Sequence, residues 1–90
     1  MRVIWSPEAK GDRRAIFQFI AANNHSAAIA FDHEIARAAT LVSTFPHIGR
    51  AGRMAGTHEH VVARHYLLIY TLSGGAIRIV RVLHTSQQWP

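Results

Sequence analysis

Seven histidines and nine arginines are spread over 90 residues, and the chemistry they suit is proton transfer and phosphate recognition. An unperturbed imidazole titrates at about pH 6.5, so it can give or take a proton under ordinary conditions. Cleaving RNA without a metal needs a base for the 2′-hydroxyl, an acid for the leaving oxygen, and fixed cations for the charge that gathers on phosphorus. His58, His60, His65 and His84 are candidates for the first two roles, and Arg50, Arg53, Arg64 and Arg81 for the third. Composition permits such a site without showing one. His58 and His60 stand two apart on an expected strand and so project to one side. Two imidazoles lacking a third ligand make a poor metal site, and His58-Glu59-His60 is not the HExxH helix of zinc hydrolases, so neither a metal nor a cofactor is expected.

Arg81 stands out because it sits among Ile79, Val80, Val82 and Leu83, where an unpaired charge would be costly. It is therefore either functional or held in an ion pair, with Glu59 or Asp32 as the candidate partners. For the other arginines the alternative is a solvated strand surface, which contributes little to stability.

These residues must be positioned by the elements around them. Arg2 to Trp5 is short and β-prone. Ser6-Pro7-Glu8 then reads as a helix start, with serine capping free amides, proline harmless at the first helical position, and glutamate at the positive end of the dipole. That helix should reach about Ala22 and bury a stripe of Ile16 and Ile20 with Phe17, Phe19 and Ala9, leaving Asp12, Arg13, Arg14 and Gln18 to water. Asn23-Asn24-His25-Ser26 is a turn, so a second helix is expected from near Ser26. Its buried face is Phe31, Ile35, Ala38 or Ala39, Val42 and Phe45, at intervals of three and four. Pro46 stops it, and Gly49, Gly52 and Gly56 punctuate an arginine-bearing loop.

Three strand-like segments follow: Gly56–Arg64, Tyr66–Leu72 and Ala76–His84. Their short joints force antiparallel neighbours, since a parallel crossover needs a dozen residues or more, and Ser73-Gly74-Gly75 supplies the positive φ angles of a hairpin turn. The predicted fold is α+β, in the order β-α-α-β-β-β, with a helical hairpin packed on one face of a small, mainly antiparallel sheet. Strict alternation in the last strand puts Ile77, Ile79, Arg81 and Leu83 on one side, and Ala76, Arg78, Val80, Val82 and His84 on the other. Both sides are partly apolar, so the pattern does not say which one meets the helices.

Residues 1–90 are read as a single domain, in which only about 60 to 65% of the unfolded chain's surface can be buried. An apolar share of 49% in so small a chain leaves surface for a partner to cover. The formal net charge is +5, and every cation except Lys10 is an arginine, whose planar fork suits phosphate or carboxylate. Nucleic acid, a nucleic-acid enzyme or an acidic protein are the natural partners. The absence of cysteine excludes disulfide and thiolate chemistry. No segment reaches the roughly 20 apolar residues that span a bilayer, and a soluble, cytoplasmic protein without membrane contact is expected.

Four groups of residues carry a resemblance: the Phe45-Pro46-His47-Ile48-Gly49-Arg50 turn, the Gly56-Thr57-x-Glu59-x-Val61-Val62 strand, Tyr66-x-x-x-Tyr70, and Ile79-Val80-Arg81-Val82-Leu83-His84 followed by Gln88-Trp89-Pro90. In order and spacing the chain resembles toxins of the RelE/ParE superfamily of bacterial type II toxin-antitoxin pairs, nearer the ParE branch. The resemblance covers nearly the whole chain.

The ParE likeness implies a toxin, of the kind associated with plasmid stabilisation, that poisons DNA gyrase and is not a hydrolase. Its target-binding candidates are Arg50, Arg53, His58, His60, Arg64, Arg81, His84 and Trp89. The RelE likeness implies instead an endoribonuclease that cuts messenger RNA in the ribosome, with Arg64, Arg81 and His84 as the nearest counterparts of its catalytic residues. From that second pattern the chain departs, since its only lysine is Lys10 and no tyrosine follows Tyr70. Either likeness implies a cognate antitoxin, acidic, ParD-like and partly disordered until it binds. On the first helix Arg13, Arg14 and Phe17 are candidate contacts for it; the alternative is that Phe17 is core and the arginines are solvated.

Overall fold

The computed structural model describes every residue from Met1 to Pro90. The elements are β1 (Arg2–Trp5), α1 (Pro7–Ala21), α2 (His25–Thr44), β2 (Arg50–Ala51), β3 (Thr57–Ala63), β4 (Tyr66–Ser73) and β5 (Ala76–His84). Helix α1 starts where its capping residues predict, with the Ser6 hydroxyl accepting the Ala9 amide at 3.0 Å and Pro7 at the first helical position. Helix α2 starts at His25, one residue early, because Asn24 Oδ1 accepts the Ala27 amide at 3.0 Å. Pro46 keeps the residue before it out of the helical region, and Phe45 caps α2 at φ −125° and ψ 78°.

The two helices form the expected hairpin over one face of a five-stranded sheet of order β1-β5-β4-β3-β2, in which only the β1–β5 pair is parallel. Gly74 and Gly75 turn β4 into β5 with φ angles of 56° and 76°, values that favour glycine. On the helix side, Ala9, Ile35, Ala38, Ala39 and Val42 pack on Leu68, Tyr70, Ile77, Ile79 and Val82. On the other side, Leu67, Ile69 and Leu83 are covered by Val80 and by Trp89 of the C-terminal segment.

The strict alternation expected of β5 fails. Ile69 pairs with Arg81 but Tyr70 pairs with Ile79, so Val80 is an extra residue, a bulge that shifts the strand's pattern by one. Ile77, Ile79 and Val82 consequently meet the helices while Leu83 turns away. The arginine-bearing loop is also more ordered than expected: Arg50 and Ala51 form a two-residue strand against Glu59 and His58.

Two aromatic residues assigned to the core are exposed. Phe19 is 75% accessible, because at 100° per residue it lies about 80° round α1 from the line of Ala9, Ile16 and Ile20. Phe45 is 57% accessible, having left the helix at its cap.

Strand β1 ends at Trp5, and beyond it α1 takes over the edge of β5. The Ser6 hydroxyl donates to the Val80 carbonyl at 2.8 Å, and the Val82 amide donates to Asp12 at 2.9 Å. Polar groups of an otherwise open strand edge are thereby satisfied. No helix is long and apolar enough to cross a membrane.

Candidate functional site

The loop that carries Arg50 and Arg53 is pinned from beneath by Tyr70. This side chain is fully buried, and its hydroxyl donates to the Pro46 carbonyl at 2.8 Å while accepting the Gly49 amide at 3.0 Å. Burial raises the phenol above its ordinary value, opposed by the Gly49 hydrogen bond. Glycine at position 49 is a packing requirement: a Cβ there would lie 2.7 Å from the Tyr70 hydroxyl and 3.0 Å from the Glu59 carbonyl oxygen. His58 stacks on Tyr70 with ring centres 5.2 Å apart, and His47 meets His58 edge-on at 6.2 Å.

On the opposite side of the sheet the same loop is held by Glu59, only 4% accessible. Its carboxylate accepts Arg50 Nη2 at 3.3 Å and the Arg53 amide at 3.2 Å, with Arg53 Nε at 3.6 Å. The buried charge is thus paired, as burial demands, and both guanidinium groups remain substantially exposed, at 68% and 44% of their side chains. Two arginines share one carboxylate, so the loop keeps a surplus positive charge.

Arg81 is paired, but with neither of the carboxylates expected. Glu59 holds the loop and Asp32 holds Arg13. Arg81 makes a bidentate contact with Asp12 of α1, Nε to Oδ2 at 2.8 Å and Nη2 to Oδ1 at 2.9 Å. Asp12 was expected to face water. The bulge at Val80 and the end of β1 leave room for α1 to reach this edge, and the Asp12 hydrogen bond raises the guanidinium above its ordinary value. Arg81 is therefore a tie between helix and sheet.

A second group gathers at the far end of the sheet. Arg64 is exposed in the β3–β4 turn, His65 stacks on His84 with centres 5.6 Å apart, and Tyr66 meets His84 edge-on at 5.2 Å. The Ser86 amide lies 3.1 Å from His84 Nδ1. A backbone N–H can only donate, so Nδ1 is an acceptor here. Trp89 folds back onto the Leu67, Ile69 and Leu83 cluster.

The eight target-binding candidates thus fall into separate groups. At the start of β3, Arg50 and Arg53 lie over Glu59 on one face of the sheet and His58 lies against Tyr70 on the other, while Arg64 and His84 are at its far end. The two ends of this seven-residue strand are about 20 Å apart. Arg81 lies at the β5 edge, Trp89 on the sheet's outer face, and His60 in a groove of about 360 Å³ between α2 and β3 that Arg37, Leu41, Phe45 and Val62 help to line. Burial lowers the His60 imidazole below 6.5. On α1, Arg13 is tied to Asp32 and lies 4.6 Å above the Trp5 ring, while Arg14 is free. Together with Phe17 they line a shallow groove of about 500 Å³ that Lys10 also borders.

Comparison with known proteins decides the family. The model described as "ParE toxin of type II toxin-antitoxin system, parDE" matches residues 3–89. The chain belongs to the ParE toxin family. A curated relative of this ParE-family chain, named "Putative toxin Y4kP" and found in Sinorhizobium fredii, is 31% identical over 90 residues, spanning 99% of this chain and 93% of the relative. The ParE-like fold matches a solved chain from a chromosomal ParDE toxin-antitoxin system of P. aeruginosa with a TM-score of 0.85 at 18% identity, covering 96% of this chain and 97% of that one. A YoeB/ParE toxin from Agrobacterium tumefaciens is similar with a TM-score of 0.67 at 15% identity, over 93% and 98% of the two chains. The resemblance read from the turn, the strands and the C-terminal segment is the family found. The layout of helical hairpin then strands is the ParE fold.

Proposed function

We propose that this ParE-family toxin binds and inhibits DNA gyrase and is held silent by an acidic, ParD-like antitoxin. Membership of a toxin-antitoxin family implies the cognate antitoxin. The observation that carries the target is the engagement of Arg81 by Asp12. A ribonuclease of the RelE kind would use Arg64, Arg81 and His84 around one phosphate, and here the guanidinium of Arg81 is spent on a carboxylate of α1. A binding toxin needs no such convergence, only cationic groups held rigidly. Glu59 holds Arg50 and Arg53 in that manner, His58 stacks on the Tyr70 that pins the same loop, and His84 and Trp89 offer a second contact along the C-terminal segment.

For the antitoxin, the groove bordered by Lys10, Arg14 and Phe17 suits a segment with carboxylates beside an apolar side chain. Arg13 contributes through its stem, its charge being balanced by Asp32. The ribonuclease reading keeps one observation in its favour, the stacking of His65 on His84 beside the turn that carries the exposed Arg64. Purified protein added to gyrase and relaxed plasmid separates the two. Blocked supercoiling or trapped cleaved DNA is expected, whereas normal gyrase activity together with discrete cuts in messenger RNA, read by primer extension after induction, would replace the first reading with the second.

A further inference from the structure

The ion pairs show where the excess charge of this protein sits. Asp12, Asp32, Glu34 and Glu59 are taken up by five arginines, leaving Arg2, Lys10, Arg14, Arg64 and Arg78 free against the single free acid Glu8. With the surplus arginine at Glu59, these make up the formal net charge of +5. Three of these six uncompensated cations, Arg2, Arg78 and the surplus arginine at Glu59, share one region.

Arg2 pairs with Ala76 and Ile4 with Arg78 across β1 and β5, while Val3, Trp5, Ile77 and Ile79 point to the helices. Alternation therefore sends Arg2 and Arg78 to the helix-free face, two register positions apart and so diagonal neighbours. Arg78 pairs with Thr71, which pairs with Thr57, and Arg50 and Arg53 close the far side over Glu59. From β1 to β2 is four strand spacings, or about 19 Å. Glu59 is the single acid in the five strands, and it is buried and outnumbered by Arg50 and Arg53. The apolar half of the face lies beyond, beneath Trp89.

We propose that this cationic half-face binds the phosphate backbone of duplex nucleic acid, as an activity of the toxin domain itself. Exposed guanidinium groups beside the Thr71 hydroxyl on a strand surface suit phosphate oxygens, while the Thr57 hydroxyl is already donated to the Met54 carbonyl at 2.6 Å. A single strand is usually held by aromatic platforms on which bases stack, and the one Phe, Trp or Tyr on this face, Trp89, is packed on the apolar half. Nor does the cationic half offer the apolar pocket that anchors a protein partner. The proposal stands on charge placement and not on the gyrase reading, so a toxin that leaves gyrase unaffected does not touch it.

The test is fluorescence anisotropy with the purified chain and a labelled 20-base-pair duplex, repeated with one strand alone, at several salt concentrations. Contact with about three phosphates gives a log–log salt slope near −2.7, a loss of about 40-fold in affinity between 50 and 200 mM salt. Arg2→Ala with Arg78→Ala should flatten that slope by about 2. Neither residue makes an ion pair, so a native urea midpoint is expected, and Arg78→Gln serves if the double variant is unstable. Arg37→Glu on the exposed side of α2 lowers the charge by the same two units in the helical layer and should leave the slope in place. The proposal is overturned by no binding at 50 mM salt, by an equal loss in the helical-layer variant, by tighter binding of the single strand, or by a glutamate-rich peptide that binds the same arginines more tightly than the duplex.

Discussion

Replacing Tyr70 by Phe removes one oxygen atom and, with it, the underside of the arginine loop. The ring can stay in its fully buried place, so no cavity opens. What is lost is the donor to the Pro46 carbonyl at 2.8 Å and the acceptor of the Gly49 amide at 3.0 Å. Each such bond contributes about 0.5–1.5 kcal/mol net, and a buried backbone group left without a partner costs about 1–3 kcal/mol. Both backbone groups lie where water can partly replace the phenol, so the lower end of the second figure applies to each and the total is about 2 kcal/mol. Urea unfolding followed by circular dichroism should show that loss with an unchanged m-value, and limited proteolysis should cut first between Gly49 and Gly56. A loss under about 0.5 kcal/mol with no new cleavage would refute the idea that the phenol holds the loop.

Gly49→Ala drives a methyl group to within 2.7 Å of the same hydroxyl, so its cost should be smaller in the Tyr70→Phe background. Equal costs in the two backgrounds would show that the clash lies elsewhere. Asp12→Ala breaks the bidentate contact to Arg81 and strands the Val82 amide; with side chains 31% and 15% accessible, a destabilisation of about 2 kcal/mol is expected, less than for a fully buried pair. A double-mutant cycle with Arg81→Ala checks it, and zero coupling would contradict the tie. His60 binds its proton less readily folded than unfolded, so its contribution is intact above pH 6.5 and is lost as pH falls through the lowered folded value. Urea midpoints measured from pH 7.5 downward should decline less in His60→Gln than in the parent, and parallel declines would remove His60 as the cause.

What could be read from the sequence was local. Ser6-Pro7-Glu8 marks α1 because the hydroxyl, the ring and the carboxylate act within one turn, and Gly74-Gly75 marks the β4–β5 turn because two positive φ angles are needed in succession. Most of the failures were non-local. Asp12 and Arg81 are far apart along the chain and meet only because β1 ends early and β5 bulges at Val80, and neither event leaves a mark in the periodicity. Arg50 and Ala51 make a strand only because Glu59 and His58 are already in place to pair with them. Phe19 shows the limit of hydrophobicity as a guide to burial, since an aromatic ring on the wrong side of α1 stays in water. For the site, residue types were legible and their grouping was not: the strand that carries His58 and Glu59 at one end delivers Arg64 to the other.

The most direct measurement is supercoiling by purified gyrase in the presence of this protein, beside a variant in which Arg50 and Arg53 are both replaced by Ala. Inhibition by the parent at low molar excess and its loss in the variant are expected. Undiminished supercoiling with the folded parent protein, or equal inhibition by the variant, would contradict a toxin that works through the arginine loop.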